Sequence, residues 1–360
     1  MLNEILRDRG VMNIWDESGG KYSSGAWEAR RKEILTLLCS EEYGFLPRSS
    51  GELSFEMLEE DQRYCAGKAT LRKVLLTAQF GDRSFSFPFY ASIPKGEGKH
   101  PFFVLLNFRD NVPDLYFPAE EIVDNGFAVL SFCYKDVTSD DANFADGVVG
   151  VMYDGHVRGD HDCGKIAMWS WAASRVMDYA ETLPSLDVTK AFVIGHSRLG
   201  KTALLTGALD TRFACAISNN SGCSGAAITR EKQGERIKDI CGRFPYWFCE
   251  HYKTYIENEA KMPFDQHFLL AAIAPRKVYV ASAKEDLWAD PDSEFLACVA
   301  ASEVYEKLGL AGFVHKERLP EAGDKFHDGD IGYHLRDGLH YLSREDWLHY
   351  MAYLKKHFAI

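Results

Sequence analysis

No apolar run in this chain approaches the roughly 20 residues of a membrane-spanning helix, so no membrane partner is expected. Its first ten residues, Met1-Leu-Asn-Glu-Ile-Leu-Arg-Asp-Arg-Gly10, lack the apolar core of a secretory leader. The expected location is therefore cytoplasmic, or secreted if a leader has been removed. Basic residues are in deficit, 41 against 53 acidic ones, for a net charge of −12, which argues against nucleic acid and anionic surfaces as partners. The nine cysteines, 39, 65, 133, 163, 215, 223, 241, 249 and 298, form no C-x-x-C pair and no framework spacing. An odd, scattered set points to reduced, buried thiols rather than disulfides or zinc. The run His161-Asp162-Cys163 is too sparse for a metal site, and neither metal nor cofactor is expected. Internal repeats and low-complexity segments are also missing.

What is present is an alternation of strands and helices. The 360 residues, 46% of them apolar, suit one large α/β domain. Residues 1–50 read as a helical extension packed on the core, and 51–360 as a single domain. In the extension, Ile34, Leu35, Leu37 and Leu38 are set against Arg30, Arg31, Lys32 and Glu33 at helical spacing. Residues 69–77 and 84–92, separated by Gly81-Asp82, predict antiparallel strands at a sheet edge. Continuous apolar runs at 102–106 and 127–134 are those of buried parallel strands. Further strands are expected leading into 194, at 213–218 and 275–283, and last at 313–317. Helices are expected at 118–125, 165–183, 293–308 and 343–358. The polar, glycine-rich connection 135–162 is long enough to carry function. The pattern implies an α/β fold: a mostly parallel sheet with helices on both faces and an antiparallel N-terminal edge.

The chain is organised around Lys190-Ala-Phe-Val-Ile-Gly-His-Ser-Arg-Leu-Gly-Lys201. Val193 and Ile194 close an apolar run, residues 195–198 turn, and 199–209 read as a helix. A serine at the apex of strand, tight turn and helix is a nucleophile elbow. Its strained backbone lifts Oγ above the sheet, and the helix N-terminus offers N–H groups to a developing oxyanion. The pattern is G-x-S-x-x-G, with Leu199 where the usual motif has its second small residue. A helix cap would also explain an isolated serine here, but chain order favours catalysis by Ser197. In α/β-hydrolases an acid and then a histidine follow the serine, each beyond the C-terminal end of a strand. Residues 284–291 offer Glu285, Asp286 and Asp290, with Asp286 favoured and Asp290 second. His340, between the last strand and the last helix, is the expected base; His327 and His334 share its loop. His196 is expected to pack beside the elbow. Asn107-Phe-Arg-Asp-Asn-Val-Pro113 lies where such folds place a second oxyanion donor.

Gly195-His-Ser-Arg-Leu-Gly-Lys201 resembles the G-C-S-R-x-G-K signature of glucuronoyl esterases, which cleave esters between lignin alcohols and xylan glucuronate. Similar chains are also labelled acetylxylan-esterase-like. The resemblance extends over roughly residues 100–350. Asn219-Asn-Ser-Gly-Cys-Ser-Gly225 is similar to the family's E-S-G-x-G-G segment. Pro263-Phe-Asp-Gln-His267, Ile273-Ala-Pro-Arg276, Trp288 and Gly332-Tyr-His-Leu-Arg-Asp-Gly-Leu-His340 resemble other family elements. The resemblance implies an α/β-hydrolase fold and a serine esterase acting on a small-molecule carbohydrate ester. It implies Arg198 in the oxyanion hole and Lys201 on sugar hydroxyls or the uronate. Trp247, His267 and Trp288 would line the sugar site, flat apolar faces being suited to pyranose rings. Two departures matter. His196 replaces a cysteine, so a disulfide beside the elbow is absent. Asn220 stands where many members carry the catalytic glutamate; an amide cannot be the anionic partner of imidazolium, so the acid must come from the later loop. An acetyl esterase and a non-catalytic carbohydrate-binding relative are the rival readings.

Overall fold

The computed structural model describes residues 1–15 and 24–360, so positions 16–23 of the expected N-terminal extension lie outside the described residues. The chain opens with helices α1 (Leu2–Asp8) and α2 (Ser24–Leu38), then three long strands, β1 (Leu53–Tyr64), β2 (Ala69–Phe80) and β3 (Arg83–Pro94). Next come β4 (His100–Asn107), α3 (Ala119–Asp124), β5 (Ala128–Cys133), α4 (Tyr134–Val137), α5 (Gly147–Met152) and α6 (Lys165–Glu181). The elbow joins β6 (Leu186–His196) to α7 (Arg198–Leu209). The remainder is β7 (Cys215–Asn219), α8 (Ile237–Arg243), α9 (His267–Ala271), β8 (Lys277–Ala283), α10 (Pro291–Lys307), β9 (Lys325–Phe326), β10 (Ile331–Arg336) and α11 (Arg344–Phe358).

All ten strands form one sheet in the order β1-β2-β3-β5-β4-β6-β7-β8-β10-β9. The block from β5 to β10 is parallel. The antiparallel N-terminal edge is β1-β2-β3, with β2 and β3 joined through Gly81 and Asp82, the glycine at φ +69°. Alternation along β4 shows both faces covered. Phe102, Val104 and Leu106 join the layer containing Met168, Trp169 and Leu204, whereas Phe103 and Leu105 join Ile122, Trp347 and Tyr350 on the other side. The expected α/β-hydrolase architecture is the one observed.

The N-terminal helix α2 lies against the core through polar contacts as well as apolar ones. Trp27 Nε1 donates to Ala274 O at 3.1 Å, and the buried Arg31 donates to Ala272 O and Ala208 O at 2.7 and 2.5 Å. Among the described residues no helix is long and apolar enough to cross a membrane. All nine cysteines are free thiols.

One expected strand is wrong. Residues 313–317 form no strand: the Phe313 N–H donates to Ser302 Oγ at 2.8 Å instead of a sheet neighbour, and Val314 is exposed. The last long strand is β10, all six of whose residues are buried. Its pattern was disguised by His334 and Arg336, which are buried because each has polar partners.

Candidate active site

The elbow has the strain its motif requires. Ser197 sits at φ +58° and ψ −126°, a backbone region costly for a non-glycine residue, and its N–H donates to Asn219 O at 2.9 Å. A Cβ on Gly195 would lie 2.1 Å from Leu199 O, so only glycine admits this close approach of strand to helix. The backbone of Leu199 makes that contact while its side chain is fully buried in the core. That is why the second small residue of the usual motif is dispensable.

Ser197, Asp286 and His340 line one cavity of about 320 Å³. His340 Nδ1 lies 2.6 Å from Asp286 Oδ2, and because a carboxylate only accepts, Nδ1 is the donor. The Asp286 carboxyl is buried, which pushes its pKa up, but the bond and charge of His340 and the Asn220 amide outweigh burial and hold it below the ordinary value. Asn220 Nδ2 donates to the same Asp286 oxygen at 2.9 Å. Asn220 thus helps to keep the Asp286 carboxyl ionised. Of the other candidate acids, one points to solvent and one is engaged elsewhere. Glu285 is exposed, and Asp290 caps α10, accepting from Ser293 N, Ser293 Oγ and Gln233 N at 3.2, 2.6 and 2.8 Å.

His196 packs beside the elbow as expected. Its Nδ1 donates to Asn219 Oδ1 at 2.6 Å, since Asn219 Nδ2 is donated to Tyr350 Oη, and its ring lies 4.5 Å from that of His340. Burial, reinforced by His340, holds His196 at about 3 and therefore neutral.

Arg198 projects into the cavity from the first turn of α7 and ion-pairs with Asp140. Its guanidinium lies 4.6 Å from the ring of Trp247, whose Nε1 donates to Asp140 Oδ1 at 2.7 Å. Tyr134 Oη donates to the other Asp140 oxygen at 2.9 Å. Arg198 Nε is buried with no partner. Asp140 comes from the long polar connection that the sequence marks as functional without identifying this residue. The cavity is also lined by Lys201, Glu235, Arg243 and Trp288. Lys201 is fully buried and its ammonium donates to Ser221 O and Cys223 O. Burial pushes its pKa down, and nearby Glu235 opposes that. Trp288 is half exposed beneath the Arg243 guanidinium, 5.1 Å away. Neither Glu235 nor Arg243 carries a motif signal; each comes from the segment between β7 and β8.

Four other histidines named from sequence do not reach this cavity. His267 is a correction to the expected sugar site: it is buried on α9, with Nε2 on Met12 O at 2.8 Å and its ring against Phe268 at 4.9 Å. His327 and His334 both bond Tyr279 Oη, at 2.6 and 2.9 Å. His161 Nδ1 bonds Ser40 O, Asp162 bonds His156, and Cys163 is buried. The segment 107–113 folds on itself through Asn107, Arg109 and Asp114.

Residues 76–309 match the family described as "Glucuronyl esterase, fungi". The chain is 42% identical over 240 residues to carbohydrate esterase MZ0003 of an unknown prokaryotic organism, covering 66% of this chain and 55% of that protein. It is 28% identical over 306 residues to the 4-O-methyl-glucuronoyl methylesterase of Podospora anserina, covering 81% and 59%. The chain thus spans somewhat over half the length of these two curated relatives. Among solved structures, a glucuronoyl esterase from Solibacter usitatus matches with TM-score 0.88 and 31% identity over 97% of this chain and 98% of that one. A promiscuous esterase of carbohydrate esterase family 15 from a marine bacterial metagenome matches with TM-score 0.87 and 32% identity, each chain being 97% covered.

Proposed function

The chain belongs to the glucuronoyl esterase family, and we propose that it is a serine esterase cleaving a glucuronoyl ester through Ser197, His340 and Asp286. The observation that carries this reading is the 2.6 Å bond from His340 to Asp286 at the wall of the cavity that Ser197 also lines. With Nδ1 donating to an anionic carboxylate, Nε2 is left as the acceptor for the Ser197 proton. Ser197 Oγ attacks the ester carbonyl as His340 takes that proton, and Asp286 stabilises the imidazolium. The carbonyl oxygen gathers negative charge opposite the N-terminus of α7, where the Arg198 backbone N–H and the unpartnered Arg198 Nε are the available donors. His340 then protonates the departing alcohol. Water, deprotonated by the same His340, hydrolyses the acyl-enzyme and frees Ser197.

The sugar is assigned to the acyl side. Lys201 has one N–H beyond the two donated to carbonyls, and Glu235 supplies acceptors next to it. A donor beside an acceptor suits adjacent hydroxyls, and Trp288 offers a flat face. A simple acetyl ester would use none of these three groups. The test is a substrate panel of benzyl glucuronate, acetylated xylo-oligosaccharides and 4-nitrophenyl acetate with one enzyme preparation. The expected result is the highest kcat/KM on benzyl glucuronate. Preference for the acetylated oligosaccharides would replace this reading with an acetyl esterase, and no turnover of any ester would replace it with a carbohydrate-binding protein.

A further inference from the structure

His340 lies in the loop between β10 and α11, with nearly half its side chain exposed and only Asp286 bonded to its ring nitrogens among the described residues. Something must hold the backbone that presents it. Arg336, at the end of β10 and only 6% exposed, reaches across this loop. Its Nη1 donates to Asp337 O at 2.8 Å, and its Nη2 to Leu339 O and Tyr341 O at 3.2 and 2.5 Å. The last two carbonyls flank His340. Its Nε donates to both oxygens of Asp346 at 3.0 Å, and Asp346 in turn accepts from Ser343 N and Oγ, at the start of α11. One planar guanidinium thus ties both ends of the loop and both neighbours of His340. The same segment is joined to the acid-bearing loop through its backbone. Lys284 N donates to Arg336 O at 2.9 Å and Glu285 N to Gly338 O at 3.0 Å, immediately before Asp286.

We infer that Arg336 is a positioning residue: it fixes the backbone on either side of His340 and so holds the His340–Asp286 pair in register with Ser197. The inference rests on the proposed role of His340. Lysine keeps a cation for the Asp346 carboxylate, but one ammonium cannot reproduce a planar fork over three carbonyls and a carboxylate. A loop that drifts by about 1 Å misplaces the proton acceptor while leaving Lys201, Glu235 and Trp288 to bind the substrate, a displacement that costs up to about 100-fold in rate.

The experiment measures kcat and KM on benzyl glucuronate and 4-nitrophenyl acetate for the parent, Arg336→Lys, Arg336→Ala and His340→Ala. Rates are expressed per folded molecule, with folding read by near-ultraviolet circular dichroism. The expected result for Arg336→Lys is a kcat about 10- to 100-fold lower on both esters with KM within about twofold. Added guanidinium ion should restore part of the kcat of folded Arg336→Ala; if that variant does not fold, Arg336→Lys carries the test. A parent-like kcat in Arg336→Lys, or a loss that appears in KM or follows the folded fraction, overturns the inference. His340→Ala separates the two claims. If it keeps the parent rate, the proposed function fails; if it is inactive while Arg336→Lys is parent-like, only the role of Arg336 fails.

Discussion

Two imidazole–carboxylate pairs draw on the segment from β10 to α11, and only one of them opens onto the cavity that Ser197 lines. His340 and Asp286 are 2.6 Å apart, and His334 and Asp346 are 2.8 Å apart. The bonds are nearly alike, but their surroundings differ. The His334 side chain is 1% exposed and both its nitrogens are occupied, one by Asp346 and one by Tyr279 Oη. Asp346 is shared with Arg336, whose charge balances it. The His340 side chain is 44% exposed at the cavity and uses only Nδ1. A histidine–carboxylate contact is therefore a weak indicator of catalysis by itself. An uncommitted second nitrogen at the wall of the Ser197 cavity sets the His340–Asp286 pair apart from the fully bonded His334–Asp346 pair.

The sharpest way to break this comparison is to substitute both pairs and read rate and stability together. His340→Ala and Asp286→Asn should each fold and lose about 10²–10⁴ in kcat, the latter because an amide no longer fixes the required tautomer. Asn220→Ala, which removes one hydrogen bond from Asp286 but leaves its charge and its bond to His340 in place, should cost less than about tenfold. His334→Gln should leave kcat within about threefold while lowering stability by about 1–3 kcal/mol, through loss of buried hydrogen bonds. Steady-state kinetics and thermal melts on the four variants check this. A His334→Gln that folds but is inactive would erase the distinction.

A smaller effect is expected at Lys201. Lys201→Ala leaves two carbonyls unsatisfied beside the elbow whatever the substrate, so the informative quantity is the ratio between substrates. Loss of a charge-assisted contact should lower kcat/KM about 10- to 100-fold on benzyl glucuronate, and only several-fold on 4-nitrophenyl acetate. Equal losses would make Lys201 a support for the elbow and move the acetyl-ester reading forward.

The smallest effect sharpens which histidines govern stability. Burial holds His196, His267 and His327 at about 3, 4 and 3, below the ordinary 6.5. Between those values and 6.5 the unfolded chain binds more protons. Their contribution is therefore complete above about 6.5 and is lost as the pH falls through that window. Burial raises Glu42 and Glu294 from 4.5 to about 8 and about 7. These carboxyls contribute fully below about 4.5 and lose their contribution as the pH rises toward 7 and 8. The two sets together place the highest melting temperature between about pH 6 and 7. A melting temperature that climbs steadily to pH 8 would contradict the raised carboxyls.

The parts of this arrangement that the sequence revealed are those written in local patterns. Phe102 to Leu106 is apolar at every position because β4 is covered on both faces, and the elbow is legible because a glycine, a serine and a helix adjoin. Chain order led to Asp286 and His340. Choosing between Asp286 and Asp290 required geometry, since one carboxylate reaches His340 and the other caps α10. Strand β10 was obscured because a buried strand containing His334 and Arg336 has no apolar signature until their partners are known. His267 was misassigned because its partner, Met12 O, lies 255 positions away. Asp140, Glu235 and Arg243 went unnoticed for the same reason: each comes from a connection whose path is set by tertiary contacts.

The proposed chemistry requires Ser197 to be a nucleophile activated by His340 and not by His334. The most direct measurement is peptide mapping by mass spectrometry after exposure to a serine-directed fluorophosphonate, on the parent and on folded Ser197→Ala, His340→Ala and His334→Gln. A single phosphonyl adduct on Ser197 is expected in the parent and in His334→Gln. Ser197→Ala should carry no adduct at that position, and labelling should slow at least ~10³-fold in His340→Ala. An adduct on another serine, or undiminished labelling of Ser197 in His340→Ala, would contradict this chemistry.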